Sequence, residues 1–176
     1  SSQVLTGMAP GESRELLIMN PQGHIEHACG AIDDGEILYL ITEASDAQAL
    51  ADWLNSMRFA LRVEITISQR WWLLGSIGDS GVSQCDQVAL TWNDPWPGIV
   101  DGGAAYYQGK HPGESLAFHI HLVPRDQARE FWREWSEGVP KRRAAGIAAW
   151  EATRIAAWRP RLGHETDARS MPAELD

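Results

Sequence analysis

The sequence predicts an α+β protein made of two small subdomains, each an antiparallel sheet with helices packed on it. Three observations carry this. Apolar runs of strand length between residues 16 and 41 are divided by two tight-turn signals, and an amphipathic helical repeat follows at once. The strand-then-helix order then recurs, residues 116–135 matching 37–57 in order and spacing.

Asn20-Pro21-Gln22-Gly23 separates the run 16–19 from 24–32, and Asp33-Asp34-Gly35 separates that run from 37–41, which predicts a three-stranded antiparallel meander. Ser45 stands three residues before Gln48, the spacing of a capping box. Leu50, Trp53, Leu54 and Met57 fall at i, i+3, i+4 and i+7, so a helix is predicted across the meander. Val63, Ile65 and Ile67 alternate with polar residues, which predicts a half-buried strand over 62–68. Further strands are predicted at 71–77, 88–92 and 116–123. Between the last two, Pro95, Pro97, Gly102-Gly103 and Pro112-Gly113 mark 94–113 as a long irregular excursion. Ala128, Phe131, Trp132 and Trp135 predict a helix over 127–137, ended by Gly138 and Pro140. A last helix over 144–158 places Ala148, Ala152, Ile155 and Trp158 near one face and pairs Glu151 with Arg154 on another. Pro160 stops it. The subdomains are accordingly 1–68 and 69–176.

With 44% apolar residues the chain can bury a core, and no stretch reaches the about 18 consecutive apolar residues of a membrane span. Cys29 and Cys85 are too few for a disulfide framework and read as buried thiols in a reducing cytoplasm. The net charge of −9 is unevenly placed. Residues 1–124 hold five Lys and Arg against fifteen Asp and Glu; residues 125–176 hold ten against nine. An acidic excess of that size repels a phosphate backbone, so no direct nucleic-acid binding is expected. The one basic concentration, Lys141-Arg142-Arg143 with Arg154, Arg159 and Arg161, reads as a solvated linker and helix-end charges.

Several short motifs point together. They are Pro21, Gly23 and His24-Ile25-Glu26-His27; Asp33-Asp34-Gly35-Glu36 with Tyr39-Leu40; and Trp53-Leu54 with Met57-Arg58-Phe59. Later come Ala89-Leu90-Thr91-Trp92, Asp94-Pro95-Trp96-Pro97-Gly98, Leu122-Val123-Pro124-Arg125, Trp150-Glu151-Ala152-Thr153-Arg154 and Trp158-Arg159-Pro160-Arg161-Leu162-Gly163. In this order they resemble the folate-binding proteins related to the T-protein (aminomethyltransferase) of the glycine cleavage system, and within them the YgfZ branch in its actinobacterial form. The resemblance implies a T-protein-like fold with tetrahydrofolate or a related folate in a central opening. It also implies an accessory role in iron–sulfur enzyme maintenance and tRNA modification, with those enzymes as partners. The branch's K-G-C-Y-x-G-Q-E signature does not occur before Asp176, and Ser1-Ser2-Gln3 resembles the interior of the family's first region, so the 176 residues are expected to be part of a longer protein.

The candidate site residues follow from the resemblance. Glu26-His27 lies where T-protein relatives carry an acidic pair whose aspartate helps activate folate. A carboxylate beside an imidazole can hold and move a proton near neutral pH, but neighbours on a strand point to opposite faces. Glu43 occupies the place of a folate-contacting asparagine, and equally suits the start of a helix. The family pattern R-I-E-A-G-x-P reads here Arg154-Ile155-Ala156-Ala157-Trp158-Arg159-Pro160, so Ala156 replaces the glutamate that receives the pterin edge. Trp158 could stack on a flat ring, with Arg159 beside it, or pack in the core. These departures favour a non-catalytic accessory protein over a tetrahydrofolate-dependent aminomethyltransferase or demethylase. The wall expected here (Glu43, Glu26 or His27, and Trp158 with Arg159) implies folate binding by this chain no tighter than about millimolar. His119 and His121 share a strand face but lack a third ligand, so no metal is expected.

Overall fold

Local side-chain bonds set the two turns of the first sheet. Asn20 Oδ1 accepts from the backbone N–H groups of Gln22 and His24, and Gly23 takes φ 86°, which a side chain would resist. At the second turn Asp33 Oδ1 accepts from Gly35 N–H, Asp34 Oδ1 accepts from Glu36 and Ile37 N–H, and Gly35 has φ 98°. The computed structural model describes residues 5–96, 98, 109–138 and 144–175. In it these turns join β1 (Ser13–Met19), β2 (Ile25–Asp33) and β3 (Leu38–Ile41) into an antiparallel sheet of order β1-β2-β3. The register slips once, between Ile18 and Met19, as a bulge.

Helix α1 (Ala47–Met57) crosses this sheet. Leu16, Ile18, Cys29, Ala31 and Leu50 form the core between them, with Trp53 and Leu54 packed against it. Two expectations for α1 change. Met57 is 49% exposed because it lies in the last turn, past the end of the core. The capping box of Ser45 and Gln48 does not form: Asp46 is the N-cap, and its carboxylate accepts from His27 Nδ1 instead of from the helix.

The second sheet contains β4 (Trp71–Ile77), β5 (Leu90–Asn93) and β6 (Phe118–Pro124), antiparallel in the order β4-β6-β5. One face receives α2 (Ala128–Gly138), whose Phe131 and Trp135 bury against Val82, Cys85 and Val123. Phe131 meets Trp72 edge-on at 6.1 Å. The other face receives α3 (Ile147–Ala156). Trp150 of α3 stacks on Phe118 with ring centroids 4.2 Å apart and lies so close over Gly75 that a Cβ there would come within 2.7 Å of the ring. The chain is therefore an α+β fold of two small antiparallel sheets with packed helices.

Trp92 of β5 joins the two sheets. Its ring rests on Gly30 of β2, where a Cβ would also approach to 2.7 Å, and its Nε1–H donates to Arg14 O over 2.8 Å. Asn93 N–H donates to Ser13 Oγ.

The segment 62–68 is not a strand in the structure, although its alternation is that of one. A strand requires a ladder partner, and neither sheet takes these residues in. The last helix also turns the other face inward. Ala148, Ala152, Ile155 and Trp158 are exposed, whereas Trp150, Arg154 and Ala157 face the protein, because ring stacking and ion pairing on that side outweigh a stripe of alanines. Lys141-Arg142-Arg143 and most of the 94–113 excursion lie outside the described residues.

Cys29 and Cys85 are both buried, one in each core. Thiol titration of the denatured, non-reduced protein is expected to count two thiols; a count of zero would contradict their separate positions in the two cores.

Candidate functional site

A cleft of about 930 Å³ opens between the two sheets and α3. Its apolar wall is Trp92, Phe118 and Trp150, placed there by the two glycine seats just described. Its polar wall is Glu15, Glu43, Asp94 and Glu151 with Arg154, Arg159 and Arg161. The cleft extends past the edge of β4 to Phe131, Trp132 and Trp135 of α2.

The polar wall consists of two ion-pair networks. In the first, Arg159 donates to Glu15 over 2.6 Å and to Asp94 over 2.8 Å, tying β1, the end of β5 and the chain after α3 to one guanidinium. Burial raises the Glu15 carboxyl above its usual range; Arg159 opposes this and the Asp94 charge adds to it. In the second, Arg154 donates twice to Glu151, once to Glu165 and once to the Arg159 carbonyl. Arg161 donates to both oxygens of Glu43, over 2.6 and 2.9 Å, and lies 3.2 Å from Glu151. The hydrogen bond from Arg161 holds the Glu43 carboxyl below its usual range, and that from Arg154 does the same for Glu151. All three arginines of the predicted basic concentration that fall among the described residues are thus neutralised by carboxylates.

Of the five residues expected at the site, the structure brings Glu43 and Arg159 to the cleft. Glu26 stands exposed at the start of β2 and does not line it. His27 points to the opposite face of β2, where it is buried against α1 and bonded to Asp46, with Thr42 Oγ1 completing the group. Trp158 is 63% exposed, with a left-handed φ of 60°, and borders a separate cavity of about 370 Å³ beside Trp96 and His111. Ala156, at the position of the family glutamate, is exposed.

No known family, curated protein or solved structure matches the chain.

Several cleft residues carried a sequence signal that was not followed. Gly75 and Gly30 interrupt strands, and a glycine inside a strand commonly marks close approach of another group, here Trp150 and Trp92. Glu15 and Asp94 carry none, since they meet Arg159 across 144 and 65 residues of chain, and Glu43 meets Arg161 across 118; the pair of Arg161 with Glu151, ten residues apart, is closer but spans the end of α3 and Pro160.

The cleft offers aromatic faces and paired charges. Cys29 lines it, but burial first, and then the charges of Glu15 and Asp46, push its thiol up to about 12, so it stays protonated and unreactive at neutral pH. Among the described residues no three His, Cys, Asp or Glu come together to hold a metal ion, and His121 hydrogen-bonds Ser76 and Thr91 instead. Aromatic rings beside fixed carboxylates suit a flat heterocycle whose edge carries N–H donors.

Proposed function

We propose that this chain is a non-catalytic folate-binding accessory protein of the YgfZ type, and that the cleft between the sheets receives the folate. The observation that carries the reading is the pairing of an aromatic wall with the Glu43 carboxylate in a single cleft of ligand size. Glu43 keeps lone pairs beyond the two used by Arg161, and these can accept the paired N–H groups of a pterin edge in place of the family glutamate that Ala156 replaces. Trp150 and Phe118 supply the stacking surface. The placement of Glu26 and His27 away from the cleft supports binding without turnover. The wider role, in iron–sulfur enzyme maintenance and tRNA modification with those enzymes as cytoplasmic partners, rests on the sequence resemblance. Among the described residues no helix is long and apolar enough to cross a membrane.

Titration with tetrahydrofolate, read by tryptophan fluorescence and calorimetry, tests the proposal. Saturable quenching at about millimolar Kd is expected, weakened severalfold in Glu43→Gln, with the melting temperature of the variant measured alongside. Absence of saturable binding, or binding indifferent to Glu43→Gln, would overturn it. Turnover of a one-carbon donor would assign the aminomethyltransferase class instead.

A further inference from the structure

Residues 61–69 form neither helix, turn nor paired strand, yet their sequence LRVEITISQ has the two-residue period of a strand. Three of its four alternating apolar positions face solvent, Leu61 at 67% exposed, Val63 at 48% and Ile67 at 44%, while Ile65 is half-buried. Scattered single residues of this kind are ordinary; a regular row of them on one segment is not.

The backbone bonds of the segment are one-sided. Leu61 N–H donates to the Arg58 carbonyl, and the Arg58 guanidinium donates to the Val63 carbonyl over 3.3 Å. In an extended chain the N–H and C=O of one residue point to the same side, and successive residues alternate. The bonds at 61 and 63, both to Arg58, therefore occupy one edge of the segment. The other edge carries the backbone groups of Arg62, Glu64 and Thr66, none of which has a hydrogen bond among the described residues. Such an edge is a template for a further strand.

We propose that this edge pairs antiparallel with the same edge of a second copy of the chain, about a two-fold axis through Val63. Charge and register select this partner. Centred on Val63, the pairing sets Arg62 opposite Glu64 twice, Leu61 opposite Ile65 twice, and Val63 opposite itself. Centring on Glu64 sets two glutamates face to face, and centring on Thr66 opposes Arg62 to Arg70. Centring on Ile65 opposes no unlike charges. The backbone agrees with the chosen register. Val63 turns its carbonyl to Arg58, so the Val63 pair is the close, non-hydrogen-bonded kind, and the Arg62 and Glu64 pairs are the hydrogen-bonded kind. A ribbon this short buries little, so the dimer is weak and depends on concentration.

Sedimentation equilibrium of the whole chain, from about 1 μM to about 1 mM, tests the pairing. The apparent mass is expected to rise from 19.5 kDa toward twice that value. Arg62→Glu and Glu64→Arg should each weaken association about tenfold, the double reversal should restore it, and Val63→Lys should abolish it. These side chains are exposed, so melting temperatures should stay unchanged and separate lost pairing from lost folding. A monomer at every concentration, a dimer indifferent to the single reversals, or a double reversal that fails to restore would each overturn the proposal.

Discussion

Replacing Arg159 with Met is expected to destabilise the protein by about 3–5 kcal/mol, the range for removing one partner from a buried ion pair. Arg159 is held by Glu15 on β1 and Asp94 after β5, with side-chain exposures of 13% for the arginine and 20% and 4% for the acids. Removing the cation leaves two carboxylates facing each other away from water, in addition to losing its bonds. It also loosens the junction between sheets at the point where Trp92 rests on Gly30. Urea denaturation at pH 7 reads the effect. The loss should shrink at low pH, because the Glu15 carboxyl, which burial already raises, takes up a proton more readily once the cation is gone. Arg161→Met is the control: its pair with Glu43 is 28% and 40% exposed, so solvent screening limits the cost to about 1 kcal/mol or less. Equal costs for the two variants would show that the Arg159 junction is not the stronger tie.

The same contrast explains which parts of the fold were legible in the sequence. The first meander was readable because its turns are local: Asn20, Asp33 and Asp34 each fix their own loop with their own side chain. Helices α1 and α2 were readable because Leu50, Phe131 and Trp135 repeat at helical spacing and do face their sheets. Residues 62–68 carry the period of a strand, but period describes one face and says nothing about whether an edge exists to pair with. Helix α3 was turned the wrong way because alanines were counted as its apolar face, whereas Trp150 and Arg154 had partners reached only through the tertiary fold. The site followed the same rule. Glu43 and Arg159 were found by motif, but the residues that fix them, Arg161, Glu15 and Asp94, could not be paired from one sequence.

His121 is expected to make the protein lose stability between about pH 6.5 and pH 4. The imidazole is 2% exposed, with Nε2 2.8 Å from Ser76 Oγ and Nδ1 2.9 Å from Thr91 Oγ1. A neutral ring offers one donor and one acceptor, and a hydroxyl can serve either, so both nitrogens are satisfied without charge. Burial first, and then the nearby His119, push its pKa down to about 4. In the unfolded chain the group titrates near its ordinary value of 6.5. As pH falls below that value the unfolded state takes up a proton that the folded state refuses. The contribution is therefore fully present above about 6.5 and is lost on the way down to 4, amounting to about 2 kcal/mol by pH 5 and about 3 kcal/mol at the end. Glu43 and Glu151 act in the same direction, but their depressed pKa values place their loss below the ordinary carboxylate value of 4.5. Over the interval from pH 7 to 5 the Glu15 carboxyl, raised by burial, contributes with the opposite sign, so the histidine is read from the difference between the native sequence and its variant. Urea denaturation across that interval should show the slope in the native sequence and its near disappearance in His121→Gln, which keeps a donor and an acceptor but cannot take up the proton. A slope that survives that substitution would assign the acid sensitivity to another group.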